Sequence, residues 1–211
     1  MSVKCEIRDF GGLKAKLEDM KEAPTKVLKA VTSDAKKRVP PWIAAEVSKQ
    51  YGVKKGEVNS GALGKMQVKG ERVDSLKIIY TGRVLTPTHF GMSPKAPGKN
   101  AYTLKATIIR GQRATLGKVK KLTKKQRQEL AKNFRREGKQ TSTHSPVMLM
   151  PTGATYIPFQ RKSTNRKDVE AVKTLSLPQM ISGRASEGIS KAINDGLEKR
   201  LDHHMKRFMG K

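Results

Sequence analysis

The chain has 211 residues, and its 45 Lys and Arg against 18 Asp and Glu leave a formal charge of +27. Cys5 is the only cysteine, which excludes an internal disulfide framework and a cysteine-based metal site. No apolar run approaches the roughly 18–20 residues of a membrane span, and the opening residues lack the apolar core of a cleaved leader, so the sequence predicts a soluble protein made in the cytosol.

The first third has helical spacing. Leu13, Leu17 and Met20 recur every three or four residues, and Pro24 can open the next helix in its first turn. Val27, Leu28, Val31, Ala35 and Val39 continue an apolar stripe. Pro40 and Pro41 are expected to end or sharply kink it, because two successive residues lack an N–H. Trp42, Ile43, Val47 and Tyr51 extend a second piece, with Gly52 as its predicted C-terminal stop.

From residue 56 the pattern changes to glycines and alternation. Residues 76–80 and 102–109 read as strands, joined by a long Pro-, Gly- and Lys-rich loop. Residues 113–139 form a basic centre that holds only Glu129 and Glu137 as acids. Thr123 and Gln126 have capping-box spacing, which predicts a helix over about 124–137 closed by Gly138. Strands return in "PVMLMP" and "ATYIPFQRK", and "TLSLPQM" reads as an extended segment stopped by Pro178. The last helix is predicted over 184–208, with Ala185, Ile189, Ile193, Leu197, Leu201 and Met205 on one stripe. Gly188, Ala192 and Gly196 form a second lane, which predicts close backbone packing that added bulk at Ala192 or Gly196 disrupts.

Catalytic motifs find little footing. Gly111 to Lys118 follows a strand as a phosphate loop does, but five residues separate its glycines where four are needed, and Val119 stands where Ser or Thr would. The shorter "GALGK" at 61–65 fails likewise. His203 and His204 are adjacent, about 100° apart on a helix, whereas a metal-binding pair shares one face; they read as helix-end residues. Glu198 and Asp202 read as a solvated, ion-paired face beside Lys199 and Lys206. The expectation is a protein that is not an enzyme and takes no cofactor or metal. Base readout is equally unsupported: aromatics make up 5% of the chain, too few for a stacking platform. Its charge suits backbone contact with a polyanion through Lys118, Lys120, Lys121, Lys124, Lys125, Arg127, Lys132, Arg135 and Arg136. The alternative for that cluster is a solvated insertion covering a strand edge.

The order of segments adds a further reading. "AVTSDAKKRVPPWIAAEVSKQYGVKKGEV" leads into glycine-rich strands, then "YTGRVLTPTHFG", "PVMLMPTGATYIPFQRKS" and "LSLPQM" joined to a long helix. Tyr51-Gly52-Val53, Phe159 with Arg161, and Ser176 to Met180 carry most of the likeness. In this order the chain resembles the phage minor tail protein Z family, the tail-completion proteins of long-tailed phages and prophages. Pro40-Pro41 and the lysine-rich segment around 124–137 depart from that pattern. The resemblance implies a structural protein of the virion tail, made in the host cytoplasm and acting at the head-proximal end. Its implied partners are the tail terminator, tube and tape-measure proteins, further copies of itself in a ring, and DNA in the tail lumen. Composition alone supports a second reading, a nonspecific nucleic-acid-binding protein.

The expected architecture is α+β in one domain of residues 1–211. It has a helical part over 1–52, a mostly antiparallel strand-rich part over 56–161 with the basic insertion at 113–139, and the C-terminal helix over 184–208.

Overall fold

A computed structural model describes residues 2–7, 25–70, 77–98, 101–119, 125, 147–161 and 168–209. The fold is α+β, with small antiparallel sheets and a long C-terminal helix. The chain forms two compact units, Met1–Leu85 with Leu175–Lys211 and Thr86–Thr174.

In the first unit, helix α1 (Thr25–Gln50) buries Val27, Val31, Ala35, Val39, Ile43, Ala44 and Val47, an almost unbroken row of residues four apart. The C-terminal helix, α4 (Ser186–Met209), answers with Ile189, Ile193, Leu197 and Leu201 in the same spacing, continued back to Ala185. Trp42 lies over Gly196, Glu46 over Gly188, and Asp34 meets Arg200. Rising numbers on α1 therefore meet falling numbers on α4, and the two helices pack antiparallel.

One expectation about α1 needs correction. The helix does not end at Pro40 and Pro41; it continues through them to Gln50. The prolines leave the carbonyls of Lys36 and Lys37 without their helical donors. Burial of Ala35 and Val39 before them, and of Ile43, Ala44 and Val47 after them, holds one helical row across that gap. Gly52 stands just past the end of the helix, where the sequence predicts a stop, but its φ is not among the positive ones. The helix ends two residues earlier, and the Tyr51 N–H makes the last helical bond to the Val47 carbonyl at 2.9 Å. The ring of Tyr51 is buried, and its hydroxyl accepts the Arg184 N–H at 3.1 Å.

A short helix, α2 (Lys55–Asn59), follows and leads into a three-stranded sheet of β1 (Ser2–Ile7), β2 (Lys65–Lys69) and β3 (Lys77–Arg83), in the order β1-β3-β2. The helical reading of residues 1–52 is thus wrong at its start. Val3, Cys5 and Ile7 alternate with period two, and β1 pairs antiparallel with β3 from Ser2↔Arg83 to Ile7↔Ile78. The predicted helical spacing of Leu13, Leu17 and Met20 lies outside the described residues.

"LSLPQM" also differs from expectation. Pro178 does not merely stop an extended segment; it stands in the first turn of a helix, α3 (Leu177–Ser182). Its missing N–H is one that a helix start leaves unpaired anyway. Ser176 caps the helix: its Oγ accepts the Gln179 N–H, while its own N–H donates to Gln179 Oε1 at 2.8 Å. Gly82 of β3 gives Pro178 room, since a Cβ there would stand 3.2 Å from Pro178 Cδ and 3.1 Å from the Leu63 carbonyl oxygen. The segment is a joint that seats α3 on the sheet before α4 begins.

The second unit holds a two-stranded ribbon, β4 (Tyr102–Ala106) with β5 (Ala114–Val119), and a three-stranded sheet of β6 (Met148–Thr152), β7 (Thr155–Arg161) and β8 (Val169–Ala171). The β6–β7 hairpin turns at Gly153, with φ of 61°, where the sequence places it. The strand β8 falls in a stretch that reads as merely polar. Among the described residues of this unit, Phe90, Met92, Leu104, Ala106 and Val147 are buried. The helix expected over 124–137 lies outside the described residues except for Lys125, which is helical and exposed.

Candidate polyanion interface

The ribbon's two faces differ in chemistry. Leu104 and Ala106 are buried, and Gly117, opposite Leu104, backs onto Val147 so closely that a Cβ would stand 2.6 Å from Val147 Cγ2. The opposite face carries Thr103, Lys105, Thr115 and Lys118. Thr103 pairs with Lys118 and Lys105 with Thr115, and directly opposed residues share a face. Thr115 and Lys118 are three apart, which simple alternation would put on opposite faces. A bulge between Leu104 and Lys105 takes up Leu116 as an extra residue and restores them to one face.

The ribbon's tip is basic as well. The Gln112 N–H donates to the Ile109 carbonyl at 3.1 Å, closing a turn in which Arg110 and Gly111 are central, and Gly111 takes φ of 82°. Arg110, Arg113, Lys105 and Lys118 are all exposed. The "phosphate-loop" segment at 111–118 is therefore a hairpin turn entering a strand. It does not open a helix, so it offers no ring of converging N–H groups of the kind that motif needs.

No family profile, curated protein or solved structure matches the chain.

Of the predicted contact residues, the structure puts Lys118 on the ribbon's outer face and Lys125 in an exposed helical position. Lys120, Lys121, Lys124, Arg127, Lys132, Arg135 and Arg136 lie outside the described residues. The ribbon adds Lys105 and Arg110, which lie outside the predicted basic centre. A signal for them exists in the sequence: from Ser75 to Gln128 the chain has thirteen Lys or Arg and no Asp or Glu. Among the described residues no carboxylate pairs with Lys105, Arg110, Arg113 or Lys118.

The predicted packing lane is on α4, facing α1, but side chains approach it. A Cβ on Gly196 would lie 2.4 Å from Trp42 Cη2, and one on Gly188 would lie 2.9 Å from Glu46 Oε2. Ala192 between them is half-buried. Toward the end of α4, Asp34 of α1 accepts from Arg200 Nε at 2.5 Å and contacts His204 Nε2 at 3.0 Å, with Arg38 at 3.7 Å. An ionised carboxylate only accepts, so the proton in that contact sits on Nε2. His204 is 6% exposed, and its Nδ1 is buried without a partner among the described residues. Burial, the largest influence on Asp34, opposes its ionisation. The hydrogen bonds from His204 and Arg200, with their charges, outweigh it and set its pKa below the ordinary 3.8. His204 is thus a seam residue between two helices rather than an exposed helix-end cation. Among the described residues no helix is long and apolar enough to cross a membrane.

Proposed function

We propose that the chain is a structural tail-completion protein acting at the head-proximal end of a phage tail, with a cationic face turned toward DNA. The observation that carries this reading is the acid-free basic run from Ser75 to Gln128, part of which is displayed as one exposed ribbon face. A chain of +27 repels itself unless a polyanion neutralises it, and the DNA in a tail lumen is such a polyanion. The order of segments shared with the phage minor tail protein Z family supports the tail as the setting. On this reading copies of the chain surround the tail axis beside the terminator, tube and tape-measure proteins. The contact is to phosphate, with no base readout, as suits a channel that passes every sequence.

The test is assembly without the chain. Tails made in its absence should fail to join heads, purified protein should restore joining, and gold-labelled protein should mark the head-proximal end of the tail. Normal joining in its absence contradicts the proposal. The charge also favours a second reading, a nonspecific nucleic-acid-binding protein with no place in a particle. Salt-dependent DNA binding combined with normal particle assembly in its absence selects that reading.

A further inference from the structure

We infer that the outer face of the β4–β5 ribbon is a contact site for duplex phosphate, formed by Lys105 and Lys118 with the hydroxyls of Thr103 and Thr115, and extended by Arg110 and Arg113 at the tip. This rests on the proposed function to the extent that the chain meets nucleic acid; the choice of this surface is independent of it.

Four observations select the site. The cations are exposed and free of carboxylate partners among the described residues, so binding does not first have to break an ion pair. The register gathers Thr103, Lys105 and Lys118 onto one face, and the bulge at Leu104/Lys105 adds Thr115, which unbroken pairing would turn to the other side. Lys, Arg and Thr side chains are the donors that hold DNA phosphates, and they fix position without reading sequence. The opposite face is anchored by Leu104, Ala106 and the Gly117–Val147 contact, so the cationic face is presented on a packed support.

The same face discriminates between nucleic acids. Single strands are held by aromatic side chains on which bases stack, and the outer face carries none. Tyr102, the strand's aromatic residue, lies in register with Val119 on the inward side, and burial raises its pKa. A two-stranded ribbon fits against a duplex along a groove, where its cations meet flanking phosphates.

The experiment measures binding of the full-length chain to a short duplex of mixed sequence across a salt series. The variants are K105Q/R110Q/R113Q/K118Q and the tip-only R110Q/R113Q, with K120Q/K121Q/K124Q/K125Q for comparison. The tip residues lie in an exposed turn, so the tip-only variant tests the site even if the fourfold variant misfolds; circular dichroism and melting curves report folding. Each phosphate-contacting cation removed lowers the slope of log affinity against log salt by about 1, so the expected losses are about 4 for the fourfold and about 2 for the tip-only variant. Binding by wild type with an unchanged slope in both folded ribbon variants overturns this inference and leaves the proposed function resting on other cations. No duplex binding by wild type at any salt removes both. Ribbon variants that lose affinity for polyaspartate while keeping it for duplex overturn the inference in favour of an acidic protein partner.

Discussion

At the residue scale, the two glycines of the α4 lane give opposite predictions for one substitution. Alanine gains about 1 kcal/mol of helix propensity over glycine at either site. At Gly196 the new methyl meets the Trp42 ring at 2.4 Å, and overpacking of that kind costs about 1–3 kcal/mol. Gly196→Ala should therefore destabilise the protein in urea melts, and Gly196→Leu more so, whereas Gly196→Ala in a Trp42→Ala background should stabilise it. At Gly188 the obstacle is the end of the flexible Glu46 side chain, so Gly188→Ala should be neutral or stabilising. Loss of stability at Gly188 equal to that at Gly196 would contradict this account of the lane. Asp34 contributes an acid dependence. Its folded pKa is lowered, so its contribution is present above the unfolded value near 3.8 and is lost as pH falls through the folded value. Asp34→Asn should lose about 1–3 kcal/mol at neutral pH, the worth of charged hydrogen bonds. The gap to wild type should narrow below about pH 4; a gap that stays constant from neutral pH into acid contradicts the linkage.

At the element scale, much of the helical framework was legible because its burial is periodic. The rows of α1 and α4 repeat every four residues, and most residues of each predicted row are buried, Leu28, Trp42 and Met205 being half-buried. Pro40 and Pro41 hide the continuity of α1 in the sequence, because local backbone chemistry does not show the long-range row that holds its two halves together. Relief of that conflict is measurable: Pro41→Ala restores a donor to the Lys37 carbonyl and should raise stability by about 1–3 kcal/mol. No gain would mean that the proline ring makes compensating contacts. Ser176-x-x-Gln179 is a capping signature present in the sequence, but the flanking leucines and Pro178 gave the stronger impression of a strand. Ser176→Ala should lower stability by about 1 kcal/mol, the usual loss on removing a cap. The candidate site was only half legible. Charge exposed the basic run, but the pairing of Thr103 with Lys118 that joins Lys105 and Lys118 on one face, and the bulge that adds Thr115, are registers that no alternation pattern reveals.

At the scale of the whole molecule, both units are basic, and the second is set apart by having only four Asp and Glu against 20 Lys and Arg. The first unit buries two long helices and a sheet around apolar rows, with its acid–base contacts tied into the α1–α4 seam at Asp34, Arg200 and His204. The second unit presents cations on a short ribbon whose other face is packed. That division suits a protein that holds a position in an assembly while meeting a polyanion without regard to sequence. A cryo-EM reconstruction of the head-proximal end of the tail tests this most directly. The account predicts repeated density for the chain around the tail axis, with Lys105, Arg110, Arg113 and Lys118 directed at the DNA. Particles that contain no such density, or a ring in which that ribbon face is buried against protein, would contradict it.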